Sequence, residues 1–285
     1  MRTKWLAGCA VFAGVLGTAV LASSSASAIP VDTVDGINFP STTAPGGNYI
    51  QGQLDQEELV THTGQSFAGL GKVTDIADAG ANITYTYGQG GKYLTDVFKN
   101  FIVDTVVPPT ATTGGTITFF GGQLKYYVEN SDPNIATGSR TTDFANASSG
   151  ALWLSLKPDA VDALGHTLII TIPAGANSLS QFSGASAEAL LSVDLANPGD
   201  AGLLFHNCGF NNPFTLPGSS CFPGHSDVDF IGAANSGASG DFPISGHDTL
   251  KALNSTAVPE PGSLLLLGTG LLSLAGLRRR RRAAK

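Results

Sequence analysis

The chain has 285 residues, 42% hydrophobic and 13% charged, with a formal net charge of −7. The charge is uneven: eight of the 15 basic residues are Arg2, Lys4, Arg278 to Arg282 and Lys285, while all 22 acidic residues lie between these ends, which leaves that stretch at −15. Such a balance argues against nucleic-acid binding, which needs a basic footprint, and suits a solvated surface.

The first segment reads as a secretory signal peptide spanning 1–28. Arg2 and Lys4 form a basic start, Trp5 to Leu21 an uncharged apolar stretch, and Ala26-Ser27-Ala28 a small-x-small cleavage site before Ile29. Cys9 sits inside the apolar stretch and leaves with it. The exported domain is assigned to 29–231, long enough for one core.

Along this domain, short β-type runs recur between turn residues. Ile83 to Tyr87 alternates and ends at Gly88-Gln89-Gly90-Gly91. Tyr93 to Val107 reads either as a helix or as two strands. Thr116 to Phe120 and Gln123 to Glu129 read as a hairpin across Gly121-Gly122. Ala151 to Leu156, His166 to Ile172, Ala189 to Leu195 and Gly202 to His206 are further strands, and Pro158 to Leu164 one or two helical turns. The implied class is mainly β, an antiparallel sandwich-like domain. Residues 232–257 are rich in Gly, Ser and Ala and read as a spacer. The competing reading is that Phe242 to Leu253 packs on the domain.

Candidate chemistry is sparse. Cys208 and Cys221 are expected to form a disulfide in an oxidising compartment, closing a short loop. The sharper alternative is a zinc set of His206, Cys208, Cys221 and His225. Gly224-His225-Ser226-Asp227-Val228 approaches the nucleophile elbow, but Val228 stands where glycine is required. Asp227-Val228-Asp229, like Asp75 and Asp78, lacks the loop of a calcium site and reads as a solvated turn. Trp153, Tyr85, Tyr87, Tyr126 and Tyr127 are read either as a sugar-stacking platform or as strand packing. No catalytic set, metal site or cofactor is expected, and the domain is read as non-enzymatic.

The last segment, 258–285, is the most informative. Val258-Pro259-Glu260-Pro261 precedes an uncharged apolar run through Leu264 to Leu277, followed at once by Arg278, Arg279, Arg280, Arg281 and Arg282. Pro261 suits the first turn of a helix, and Glu260 the positive end of its dipole. Gly262 to Leu277 spans roughly 24 Å as a helix, against a hydrocarbon core of about 30 Å. The arginines set the tail in the cytoplasm.

This order of motif, transmembrane helix and basic stop closely resembles the PEP-CTERM sorting family, over about the last 25 residues. The resemblance implies a substrate of an exosortase, held in the membrane by the C-terminal helix before processing, and export in association with exopolysaccharide. The expected function is a structural cell-surface, envelope or extracellular-matrix protein of a bacterium, associated with biofilm. The alternative is a carbohydrate-binding module on the cell surface.

Overall fold

The computed structural model describes residues 31–40, 47–56, 59–137, 139–176, 178–214, 219–236 and 243–252. The expected β class holds: the described chain is built from antiparallel strands with two short α-helices and one 3-10 turn, Gln89–Gly91. The first hairpin pairs β1 (Val31–Val34) with β2 (Ile37–Pro40) across Asp35-Gly36, both at positive φ (53° and 82°). That Asp-Gly pair supplies the left-handed geometry that a two-residue hairpin turn demands.

The main sheet contains β3 (Asn48–Gln56), β4 (Ser66–Asp78), β5 (Ile83–Thr86), β6 (Tyr93–Val107), β7 (Gly115–Glu129), β8 (Ala151–Pro158), β9 (Leu168–Ile172) and β10 (Ala185–Val193). A small separate pair, β11 (Phe210–Asn212) and β12 (Gly224–Ser226), precedes β13 (Val228–Ser236) and β14 (Ile244–Ala252). Helix α1 (Arg140–Ala147) lies between β7 and β8, and α2 (Gly202–Phe205) follows β10.

The pairings run in a circuit: β13, β14, β3, β4, β6, β7, then β8 and β9 sharing one position, then β10, which pairs again with β13. Strand β9 lies along the first half of β7 and β8 along the second half. The halves expected of a sandwich are thus joined on both sides by backbone hydrogen bonds, and closure removes exposed strand edges.

Alternation directs one face of each strand inward. Phe67, Phe98, Phe101 and Phe119 cluster there, with ring centroids 5.1–6.5 Å apart. At another part of the core, Trp153 packs edge-on against Tyr126 and Phe205, and Phe205 meets Phe39 of the first hairpin. Trp153 Nε1 donates to the Val34 carbonyl at 3.3 Å, tying that hairpin to the core. On the outer face, α1 covers Leu70 and Val97 with Ala147 and Phe144.

Several expectations are corrected. Gly121-Gly122 is not a hairpin turn: β7 runs through it as one strand, and its hairpin partner is β6, also one continuous strand. The glycines adopt φ of 68° and 106°, opposite Asn100 at φ 63°. The inward parity of both strands changes together at this point, from 98 to 101 on β6 and from 119 to 124 on β7. The two strands nevertheless stay in register here, Lys99 opposite Gln123 and Phe101 opposite Gly121, and the register shift of this pair lies further along, between Val103 and Thr105. Gly202 to Phe205 is helical, with Gly202 packed against Pro198 and Val193. Pro158 to Leu164 forms the end of β8 and a turn. Residues 244–252 follow the packing reading of the 232–257 segment: they form β14, inserted between β13 and β3. The assigned domain boundary at 231 therefore falls inside β13, and the ordered core continues to Ala252.

Two titratable groups are built into this framework. His166 Nδ1 lies 2.6 Å from Asp162 Oδ2 and its Nε2 lies 3.0 Å from Asp104 Oδ2, a geometry that an imidazolium satisfies with both N–H groups. Burial opposes the charge, but the two carboxylates outweigh it and raise the His166 pKa. Asp248 points inward from β14 over Gly52, where a Cβ would collide with its Oδ1. Burial pushes its carboxyl up to about 7.

Two outcomes follow from these features. A side chain at Gly122 meets both a positive φ and the Phe101 ring, so Gly122→Val should lower unfolding free energy by roughly 2–4 kcal/mol in urea denaturation. The folded state holds the Asp248 proton up to about pH 7, whereas an unfolded carboxyl releases it near 4. The proton-linked stability is thus present at acid pH and lost as pH rises from about 4 to 7. Asp248→Asn should remove a loss on the order of 2–4 kcal/mol across that window, read as a flatter plot of unfolding free energy against pH than the parent gives.

Candidate functional site

The richest polar constellation lies where β10, β12 and β13 meet the loop after α2. Cys208 and Cys221 are joined by a disulfide, with Cα atoms 5.4 Å apart, as expected. The bridge closes the segment whose ends are held by β11 and β12. Cys208 takes a left-handed conformation (φ 52°), and this turn presents two successive N–H groups to one carboxylate oxygen. Asn207 N and Cys208 N donate to Asp227 Oδ1 at 2.8 and 2.7 Å. Val193 N donates to Asp227 Oδ2 at 2.8 Å, and His206 Nδ1 lies 3.1 Å from the same oxygen.

Asp227 is fully buried, so the solvated turn expected there is corrected. A carboxylate taken from water needs several donors, and three backbone amides with one imidazole provide them. Asp227 thereby joins β10, the disulfide loop and the start of β13.

A second buried carboxylate lies nearby. Asp159 accepts Ser192 Oγ at 2.5 Å and Ser226 Oγ at 2.7 Å, and Ser219 Oγ donates onward to Ser192 Oγ at 3.1 Å. Burial raises the Asp159 pKa, the three hydroxyls partly offset this, and the charge of Asp227 adds to the rise. Ser226 is itself buried and also accepts Asn212 Nδ2 at 2.9 Å, so its hydroxyl is a structural link. Among the described residues, neither His206 nor His166 hydrogen-bonds a serine or threonine hydroxyl; both hold carboxylates. Asp159, Ser192 and Ser219 line a cleft of about 360 Å³, bordered by the Lys157–Asp194 ion pair at 2.7 Å.

The zinc set read from spacing does not assemble as written. His225 Nδ1 lies 3.0 Å from the Cys208 carbonyl, and its ring packs on Phe222 at 4.1 Å. The fourth member of the cluster is Asp227: the candidate ligand atoms of His206, Cys208, Cys221 and Asp227 all lie within 4.8 Å of one another.

The aromatic platform is corrected as well. Trp153, Tyr85 and Tyr126 are fully buried in the core. Tyr127 packs under α1, and Tyr87 donates to Asp132 at 2.7 Å beneath the Lys72 ammonium. These five rings share no exposed face. Asp78 caps its own turn by accepting Gly80 N, Asn82 N and Asn82 Nδ2.

The outer face of β6, β7 and β8 carries a feature that spacing alone does not reveal. Lys99 on β6 stands opposite Gln123 on β7, and Lys125, two residues on, stands opposite Ser155 on β8, two residues before Lys157. Neighbours across and along strands are about 5–7 Å apart. Three of the seven lysines and arginines between the charged ends thus gather on one face of a strongly acidic domain. A groove of about 590 Å³ runs beside them, lined by Asn100, Phe120, Gln123, Lys157 and Leu164.

The sorting residues Val258, Pro259, Glu260 and Pro261, the run Leu264 to Leu277, Arg278 to Arg282, and the cleavage residues Ala26, Ala28 and Ile29 lie outside the described residues. Among the described residues no helix is long and apolar enough to cross a membrane. The decisive observation for the terminus comes from comparison: residues 257–282 match the family described as the PEP-CTERM protein-sorting motif. The chain carries a PEP-CTERM sorting signal. No curated protein and no solved structure matches the chain. A PEP-CTERM signal implies a bacterial protein that is exported to the cell envelope or surface and sorted by an exosortase. The signal addresses the β domain without describing its chemistry.

The disulfide itself is testable. Replacing Cys208 and Cys221 together by serine should lower stability by roughly 3 kcal/mol, the chain-entropy value for a loop of this length. Thermal unfolding of the double variant, compared with parent protein in the presence and absence of reductant, checks it; equal midpoints in all three would show that the bridge contributes nothing.

Proposed function

We propose that this PEP-CTERM protein is a non-catalytic component of the bacterial surface or extracellular matrix. In this reading the signal peptide ends at Ala28 and the C-terminal helix holds the precursor in the membrane. Exosortase then releases the β domain from that helix. The sorting motif at residues 257–282 is the observation that carries the reading. The hydrogen-bonding of the His166 and His206 imidazoles to carboxylates fits a domain whose polar groups hold structure.

The association with exopolysaccharide, and with it the biofilm role, is supported by charge. A domain at −15 repels acidic polymers at long range, yet Lys99 and Lys125 give one local patch of the opposite sign, beside Lys157 in its ion pair with Asp194. We place the contact to an acidic glycan there, beside the groove that holds Phe120 and Asn100. This replaces the buried aromatic residues as the basis for a carbohydrate-binding reading.

Two measurements test this. Intact-mass spectrometry of protein recovered from its host should give a chain that begins at Ile29 and ends near Val258 to Pro261. Retention of the apolar run and Arg278 to Arg282 would make it a permanently anchored ectodomain. Co-sedimentation with the host's acidic exopolysaccharide should drop about 10-fold in a Lys99→Glu/Lys125→Glu variant and weaken with salt. Unchanged binding by that variant would remove the lysine face from the reading.

A further inference from the structure

We infer that the dithiol form of the 208–221 loop is a zinc site, with Cys208, Cys221, His206 and Asp227 as its four ligands. The four ligand atoms lie within 4.8 Å of one another, and three of the side chains are buried. A tetrahedral zinc ion holds sulfur at about 2.3 Å and nitrogen or oxygen at about 2.0–2.2 Å, which sets ligand atoms roughly 3–4 Å apart. His206 Nδ1 and Asp227 Oδ2 already stand 3.1 Å apart. The sulfurs need only the separation that breaking their bond allows.

The surroundings favour a cation. Asp227 is fully buried, and among the described residues no lysine or arginine pairs with it. Its Oδ1 is fixed by the amides of Asn207 and Cys208, so its other oxygen keeps its direction, the role that partners of a ligand play at metal sites. The ion takes the place of the His206–Asp227 hydrogen bond, with Nδ1 as the ligand nitrogen. Two thiolates, one carboxylate and a neutral imidazole form a mixed sulfur, nitrogen and oxygen set that suits zinc.

The site is governed by redox state. A small-molecule thiol reductant supplies two electrons to the Cys208–Cys221 bond and is itself converted to a disulfide. The two cysteine thiols then lose their protons as zinc binds. In the reverse direction a small-molecule disulfide accepts two electrons, one from each thiolate. The Cys208–Cys221 bond re-forms, two small thiolates leave, and zinc is released as His206 returns to Asp227.

The test is an anaerobic titration of the purified protein with zinc, and with cobalt as a spectroscopic probe, before and after reduction by a phosphine. Bound metal is counted by native mass spectrometry, thiols by alkylation, and the fold by near-ultraviolet circular dichroism. The reduced protein should bind one ion per chain, protect both thiols and show cobalt–thiolate absorption; the oxidised protein should bind none at this site. His206→Ala should weaken binding at least about 10-fold, whereas His225→Ala should leave it unchanged. Failure of the reduced, folded protein to bind an ion overturns the inference. So does equal binding by His206→Ala, or a reduced protein whose lost native spectrum zinc does not restore.

Discussion

The pairing of β10 with β13, Ala185 to Leu191 against Ala234 to Val228, is the constraint on which the rest of the domain depends. Without it the sheet would be an open ribbon with two long edges, one at each of these strands, and a curved apolar face with nothing opposite it. With it, the face is enclosed, and the aromatic residues of β4, β6, β7 and β8 find partners across the interior. The closure is also non-local. It joins residues 37 to 49 positions apart, from Leu191–Val228 to Ala185–Ala234.

The same closure explains where the buried charge sits. At its rim, Asp227 lies where the chain leaves β12 for β13, and Asp159 where it leaves β8. Both sites bring together backbone ends whose amides and hydroxyls have no sheet partner, and a carboxylate gathers them. Asp248 is a different case. It lies within a strand, over a glycine, and its burial is met by holding its proton up to about pH 7. One fold thus handles buried acids in two ways, according to whether donors are at hand.

Much of the β character is legible in the sequence, because alternation marks Ile83 to Tyr87, Ala151 to Leu156 and His166 to Ile172 directly. The misreadings have local causes. Gly121-Gly122 has the composition of a turn, and only its pairing with β6, unbroken from Lys99–Gln123 to Phe101–Gly121, shows that the chain runs on there without reversing. Gly202 to Phe205 is a short apolar run, for which periodicity does not separate strand from helix. Strand β14 looks like spacer because two of its inward positions are Gly246 and Asp248, so the usual apolar alternation is broken. Of the candidate site, the cysteine pair was legible from compartment and spacing. Asp227 was not, since its role comes from amides of residues 193, 207 and 208 that only folding brings together. The lysine face was equally hidden, being a property of strand register.

The place of β14 has a mechanical consequence. It is the last described strand, and five residues separate Ala252 from Val258, a reach of at most roughly 18 Å. Any tension transmitted from the tail therefore enters the domain at Ala252, along the axis of a strand bonded on both sides. Nine residue pairs hold it to β13 and nine to β3. Such a load shears both ladders at once and cannot peel them one bond at a time. The polypeptide is thus gripped at a strand held along its whole length by neighbours on both sides.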